Sequence, residues 1–114
     1  MHGLTVRWSL EGCGPDAMAA LREYVRDSSH PRFTGMEGLR LKTWRAREGE
    51  WFEGCYVFVS PGERDKFQQA FTENAATSPV SEILGFAPAL IEPCEVVAVA
   101  EGAEGFAALA AYEA

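Results

Sequence analysis

The sequence predicts a single α+β domain spanning residues 1–114, with the element order strand, helix, strand, strand, helix, strand. Three observations predict this order. Apolar residues alternate near the N-terminus, a hairpin signal lies at Glu48-Gly49, and two segments with helical periodicity each begin at a proline. A chain of 114 residues with 47% apolar residues has the size and composition of one globular domain.

The first strand and the first helix are predicted from a change of periodicity. A period of two between positions 3 and 10 is typical of a half-buried strand; its apolar residues are Leu4, Val6, Trp8 and Leu10. Pro15 then begins a segment with helical spacing that extends to about Ser28. We expect His30-Pro31 to end this helix, because a residue that precedes proline is disfavoured in the helical region.

The second and third strands form the predicted hairpin, with the second beginning at Leu39 and the third covering 51–60. A two-residue turn at Glu48-Gly49 would place Leu41 opposite Tyr56 and would cluster the large apolar side chains on one face. The side chains of Lys42 and Trp44 would then lie on the other face. A loop of odd length would reverse this matching, because a shift of one residue moves every side chain of a strand to the opposite face.

The second half of the chain predicts a helix, a short helical turn and a last strand. Pro61 begins the helix, and the turn lies between Ser78 and Gly85. The last strand lies within 89–100, where Pro93 predicts an edge strand or a bulge, because proline cannot donate a hydrogen bond to its neighbour. From about residue 102 the sequence predicts a short C-terminal helix or arm.

Composition argues against several classes of function. A net charge of -7 disfavours binding to nucleic acid or to an anionic membrane surface. The longest apolar run is far shorter than the roughly 20 residues that span a bilayer, and no signal peptide is recognisable, so we expect a cytoplasmic protein. Cys13, Cys55 and Cys94 share no metal-binding spacing and are expected to be reduced thiols. No metal or other cofactor is predicted.

The predicted sheet carries too many apolar side chains to stand alone. Two helices cover one face of a four-stranded antiparallel sheet, and the other face normally carries polar residues. Here that face is expected to be mixed, with Arg40, Lys42, Trp44, Cys55 and Val57. We therefore predict a homodimer in which this face packs against its copy.

Three short segments resemble one family, the YdhR-like monooxygenases of the dimeric α/β-barrel superfamily. They are residues 12–18, with Asp16-Ala17-Met18 at the helix start, residues 41–44, Leu-Lys-Thr-Trp, and residues 54–58, Gly-Cys-Tyr-Val-Phe. The resemblance implies a ferredoxin-like βαββαβ protomer, two of which join their sheets into a barrel, with a pocket between sheet and helices in each. Related barrels include oxygenases that oxidise phenolic or anthrone-like aromatics without metal or flavin, so the implied substrate is a small aromatic or polyketide-like molecule.

Tyr56, Trp44 and Lys42 are the candidate catalytic residues. Tyr56 could donate a hydrogen bond to a substrate oxygen, Trp44 could stack on an aromatic ring, and Lys42 could stabilise an oxyanion. A purely structural role competes with each, since strand aromatics usually belong to the core and lysine is usually solvated. The two-residue turn separates Lys42 and Trp44 from Tyr56 and makes Tyr56 the better pocket residue. His30 is a weaker candidate base, because a lone histidine before proline usually faces solvent.

The competing hypothesis is a non-catalytic homodimer that binds a small apolar or aromatic ligand, or serves in a stress response. The two hypotheses differ in the lining of the pocket. A wholly apolar pocket favours binding alone, whereas a titratable group directed at the ligand favours catalysis.

Overall fold

The computed structural model describes residues 1–106 and contains the predicted elements in the predicted order. The four strands are β1 (His2–Ser9), β2 (Leu39–Arg47), β3 (Trp51–Phe58) and β4 (Leu90–Glu95). The helices are α1 (Pro15–Tyr24), a π-helical turn (Val25–Ser29), α2 (His30–Phe33), α3 (Pro61–Glu73), a 3-10 turn (Ala75–Thr77) and α4 (Pro79–Leu84).

The strands form one antiparallel sheet in the order β2-β3-β1-β4, which is the strand order of the ferredoxin-like fold. The helices pack on one face of this sheet. On that face β1 contributes Leu4, Val6 and Trp8, which form a single core with Leu21 of α1 and Val80 of α4. Leu21 and Val6 have no exposed surface. We call this the helix face of the sheet, and the opposite side the open face.

The predicted register of the hairpin is wrong by one residue over most of its length. Arg47 lies opposite Trp51, which leaves a three-residue turn. Gly49 adopts a φ of 78° there, and the Glu50 N–H donates to the Arg47 carbonyl oxygen at 2.9 Å. Glycine supplies the positive φ that such three-residue connections require.

The corrected register moves two candidate residues to the helix face. Lys42 lies opposite Tyr56 and Trp44 opposite Gly54, so the side chains of all three candidates lie on the same face. Leu39 still pairs with Phe58, as predicted, because the register shifts at Arg40. This irregularity restores the predicted pairing only at the start of β2.

The predicted helix end at His30-Pro31 is also wrong, because the helical backbone continues to Phe33. A π-helical turn precedes the proline, and the His30 N–H donates to the Val25 carbonyl oxygen five residues back. In a regular α-helix the ring of Pro31 would clash with the carbonyl of Asp27. The wider turn relieves that clash, and such turns frequently occur at functional sites.

The C-terminal part of the described chain has little regular structure. β4 is an edge strand, as Pro93 predicted, and it pairs only with β1. Residues 101–106 are not helical. The remainder of the predicted C-terminal helix or arm lies outside the described residues. Within residues 1–106 no helix is long and apolar enough to cross a membrane.

Candidate functional site

A small cavity of about 40 Å³ lies between the helix face of the sheet and the helices. We call it the Lys42 cavity. All three candidate residues line it, together with residues of β1, β3 and every α-helix. The lining residues are Trp8, Tyr24, Ser29, Arg32, Phe33, Lys42, Trp44, Phe52, Gly54, Tyr56, Phe67, Phe71, Ser78, Pro79 and Val80.

The amine of Lys42 lies inside an aromatic cage formed by Phe33, Trp44 and Tyr56. Its Nζ is 3.6 Å from the ring centroid of Phe33, 4.3 Å from that of Tyr56 and 4.5 Å from that of Trp44. Gly54 makes room for this arrangement. A Cβ at that position would be 3.1 Å from Lys42 Cε and 3.4 Å from a Tyr56 ring carbon. The missing side chain of Gly54 therefore lets Lys42 and Tyr56 lie close to the backbone of β3.

Two opposing effects act on the charge of Lys42. The faces of the three rings attract an ammonium group, with each contact worth about 0.5–2 kcal/mol. Loss of water around the buried amine disfavours the charged form more strongly, and the nearby Arg32 guanidinium adds repulsion, so the pKa of Lys42 falls to about 6. Among residues 1–106, no carboxylate lines the cavity to offset this. Near neutral pH the amine is therefore mostly neutral, which is the form that accepts a proton or attacks an electrophile.

The hydroxyl of Tyr56, in contrast to the amine of Lys42, keeps its proton at neutral and alkaline pH. The residue is 6% exposed, and burial raises the pKa of its hydroxyl well above the usual range. Its ring packs between Phe58 and Phe67, with centroid distances of 5.9 Å and 4.8 Å. Tyr56 is thus a buried phenol whose hydroxyl can donate a hydrogen bond but does not serve as a base at neutral pH.

The indole of Trp44 is held in place by the π-helical turn. Its Nε1 donates a hydrogen bond of 3.0 Å to Oγ of Ser29, and the rings of Phe33 and His30 lie 6.1 Å and 5.8 Å away. Ser29 is 2% exposed. The irregular turn therefore places a buried hydroxyl where it fixes the orientation of one wall of the cage. His30 packs beside Trp44 and does not line the cavity.

Replacing Ser29 with alanine should loosen this wall. The substitution leaves the buried Trp44 N–H without its partner, which typically costs about 1–2 kcal/mol. We expect Ser29→Ala to lower the free energy of unfolding by that amount in urea titrations. Ser28→Ala is the matched control, because Ser28 is exposed and should change the free energy by less than about 0.5 kcal/mol. Equal effects from the two variants would contradict the assigned role of Ser29.

Sequence reasoning identified three of the fifteen residues that line the cavity, and four of those it missed shape the cage or its charge. Ser29, Arg32, Phe33 and Gly54 line the cavity and were not candidates. A signal for Gly54 was present, because a glycine inside a strand often marks close approach of another group. Ser29, Arg32 and Phe33 carried no signal, since the predicted helix ended before it could place them against β2.

A charged cluster occupies the open face of the sheet. The Glu53 side chain is 1% exposed and accepts hydrogen bonds from Arg7 Nε at 2.8 Å, Arg45 Nη2 at 2.7 Å and Cys55 Sγ at 2.8 Å. Burial alone would raise the pKa of Glu53, but these three donors outweigh it and hold that pKa below its usual range. The Arg7 guanidinium also lies 4.4 Å from the ring centroid of Trp51.

The corrected register changes the predicted composition of the open face. Cys55 and Val57 lie there as predicted, whereas Lys42 and Trp44 do not. Thr43, which lies between them in β2 and pairs with Cys55, presents its side chain on the open face instead.

A second pocket, of about 230 Å³, lies beside the start of α1 and shares no lining residue with the Lys42 cavity. Among the described residues, no group of three or more His, Cys, Asp or Glu side chains could hold a metal ion.

Comparison with known proteins adds information on the fold alone. No family model matches the sequence, and no curated protein matches it. Among solved structures, the chain is similar to the NE2512 protein of unknown function from Nitrosomonas europaea, with a TM-score of 0.58 and 23% sequence identity. The match covers 90% of this chain and 94% of that chain. It supports the α+β architecture described above over nearly the whole length.

Proposed function

We propose that this protein is a cofactor-independent monooxygenase that oxidises a small aromatic or polyketide-like substrate, with Lys42 as its general base. One observation carries the proposal, namely a lysine amine enclosed by an aromatic cage beside a cavity, where burial lowers its pKa. Sequence reasoning assigned Lys42 only the stabilisation of an oxyanion. The geometry supports a first step in which the same amine removes the proton that creates the anion.

The reaction needs no external reductant. The neutral amine takes a proton from an activated CH₂ group, and the resulting ammonium, together with the Tyr56 hydroxyl, stabilises the substrate anion. The anion passes one electron to O₂, and the two radicals combine into a peroxide anion that regains the proton from Lys42. Loss of water from the hydroperoxide leaves a carbonyl. In total, CH₂ and O₂ give C=O and H₂O, and one oxygen atom enters the product.

The size of the cavity constrains how substrate binds. A space of about 40 Å³ holds O₂ or one or two water molecules, whereas an engineered cavity that binds benzene measures about 150 Å³. An aromatic substrate therefore requires the side chains of the cage to move apart. Arg32 is exposed and also lines the cavity, so its side chain marks the route from solvent.

Oxygen uptake with a panel of anthrones and quinols, in chelator and without added cofactor, tests this function. We expect kcat/KM to rise as the pH increases through about 6, where Lys42 loses its proton. Lys42→Met should lower kcat/KM at least about 100-fold. Lys66→Met is the control, because Lys66 is exposed on α3 and should retain full activity.

Two outcomes would contradict the proposal. If no compound of the panel supports oxygen uptake, the monooxygenase function fails. Saturable binding of the same compounds would then favour the competing hypothesis of a non-catalytic ligand-binding protein. If oxygen uptake occurs but Lys42→Met retains it, the assignment of the general base is wrong.

We further propose that the open face packs against a second copy of the chain. Glu53 is already buried within the protomer, whereas Arg7 and Arg45 remain 38% and 58% exposed around it, and Trp51 is half-buried. A two-fold axis would let this surface pack against the same surface of a second copy.

Light scattering at micromolar concentration should give twice the protomer mass. Thr43→Glu, at an exposed position of this face, should give monomers, whereas Thr72→Glu on α3 should not. A stable wild-type monomer would refute the dimer.

A further inference from the structure

The acid–base side chains that line the Lys42 cavity include two basic residues and no acidic one among the described residues. Arg32 and Lys42 line it, and no carboxylate of the part of the chain that the structure describes does so. The remaining polar side-chain groups of the lining are the hydroxyls of Tyr24, Tyr56, Ser29 and Ser78 and the indole N–H groups of Trp8 and Trp44. Ser29 accepts from Trp44, and Ser78 donates to the Ala75 carbonyl oxygen at 2.9 Å. An anion formed at the amine would meet the ring faces of the cage, which disfavour negative charge, and the Arg32 guanidinium, which lies 4.8 Å from the ring centroid of Phe33. The guanidinium is therefore the group that would have to neutralise such an anion.

We propose that Lys42 is a carbamylation site, whose amine takes up CO₂ and whose carbamate is neutralised by Arg32. The nitrogen lone pair attacks the carbon of CO₂, one C=O π bond becomes a C–O⁻ bond, and the nitrogen releases one proton to solvent. The amine and CO₂ thus give N–COO⁻ and H⁺, with no oxidant or reductant. The carbamate nitrogen is no longer basic, so CO₂ would inhibit the proposed oxygenase by removing its general base. Only this regulatory consequence rests on the proposed function.

The dimensions of the cavity favour CO₂ over larger electrophiles. CO₂ is an uncharged molecule of three atoms, and a space of about 40 Å³ accommodates a molecule of that size without movement of the cage. A small aldehyde would also react with a neutral amine, but the imine it forms carries no negative charge and leaves Arg32 without a function. The charge and the size of the site therefore point to the same electrophile.

The reaction requires the neutral amine, so the groups that surround Lys42 decide its pH dependence. Tyr24 faces the cavity from α1, Arg32 from α2 and Tyr56 from β3. The residues that α3 and α4 contribute, Phe67, Phe71, Pro79 and Val80, do not titrate. Burial and Arg32 lower the pKa of Lys42, and Cys55 of the same sheet acts in the opposite direction without reversing that shift. Carbamate should consequently form at neutral pH, where an exposed lysine is almost entirely protonated.

The two lysines of the chain make the test specific. Lys66→Arg leaves Lys42 as the only lysine, and Lys42→Arg leaves only Lys66. Each variant is incubated with ¹³C-bicarbonate at about pH 7.5, followed by ¹³C NMR and by trapping of the carbamate as its alkyl ester for peptide mass spectrometry. We expect at least about tenfold higher occupancy at Lys42 than at Lys66. Trapping also separates Lys42 from the N-terminal amine, which can react as well.

Arg32→Met tests the counter-ion. We expect the occupancy of Lys42 to fall several-fold in this variant, while that of Lys66 stays constant. Absence of label on Lys42, or equal label on the two lysines, would overturn the inference. Full occupancy in Arg32→Met would overturn the role of Arg32. The measurement is independent of oxygen uptake: carbamate without uptake defeats only the proposed oxygenase, whereas uptake that depends on Lys42 without carbamate defeats only the carbamylation site.

Discussion

Replacement of Lys42 by methionine is expected to make the protein more stable at and below about pH 6. Methionine is of similar length, is apolar and packs favourably against aromatic rings. The difference between a pKa of 10.5 and one of about 6 corresponds to about 6 kcal/mol. Because proton linkage equates this pKa shift with the cost of holding the ammonium in the folded protein, we expect the variant to gain up to about 6 kcal/mol where the amine is charged in both states.

The sign of the pH dependence follows from proton linkage. Between pH 6 and 10.5 the unfolded chain holds a proton on Lys42 that the folded chain does not, so the stability of the wild-type protein rises with pH relative to the variant. The advantage of Lys42→Met should therefore be greatest below about pH 6, decline between pH 6 and 10.5, and have largely vanished above 10.5. Urea titrations of both proteins at several pH values measure this difference directly.

Lys66→Met is the matched control for this experiment. Lys66 lies on the exposed side of α3, so its replacement should change stability by no more than about 0.5 kcal/mol and by the same amount at every pH. If the advantage of Lys42→Met were independent of pH, the amine would titrate alike in the folded and unfolded chains. The proposed general base and the carbamylation site would then lose the neutral amine on which they depend.

The order of the elements was predictable because it depends on periodicity, which single residues rarely obscure. The alternation from Leu4 to Leu10 and the prolines at the starts of α1, α3 and α4 are local signals, and the structure confirms each. Pro93 likewise predicted an edge strand. The length of the first helix was not predictable in the same way. A proline normally ends a helix, but here a π-helical turn accommodates Pro31, and that choice depends on packing of Phe33 and Ser29 against β2.

The site was only partly predictable, because the face on which its residues lie depends on whether the turn between β2 and β3 has two or three residues. Lys42, Trp44 and Tyr56 were candidates from their chemistry and from the family resemblance, but the favoured two-residue turn placed them on different faces. Gly49 can occupy either a two-residue or a three-residue connection, and the sequence of the turn does not decide between them. Clustering of the large apolar side chains favours the two-residue turn, and this criterion fails because the helix face accommodates a lysine. Such local departures from the apolar pattern are expected where a fold carries a function.

Replacement of Trp8 by alanine is expected to cause the largest loss of stability. Trp8 is 4% exposed and lines the Lys42 cavity, where its ring packs against Phe52 and Phe71 with centroid distances of 6.2 Å in each case. Its Nε1 donates a hydrogen bond of 3.0 Å to Oγ of Ser81 in α4. Truncation removes a large apolar surface, leaves a cavity and breaks the link between β1 and α4. We expect a loss of about 3–5 kcal/mol in urea titrations.

Trp51→Ala is the matched control, because Trp51 lies next to Trp8 in the sheet but on the opposite face. It is half-buried and contacts the guanidinium groups of Arg7 and Arg45, so its removal from the protomer should cost only about 1 kcal/mol. If the open face forms the dimer, the cost of Trp51→Ala should increase with protein concentration, whereas that of Trp8→Ala should not. A smaller loss for Trp8→Ala than for Trp51→Ala in monomeric protein would contradict the assignment of the core to the helix face.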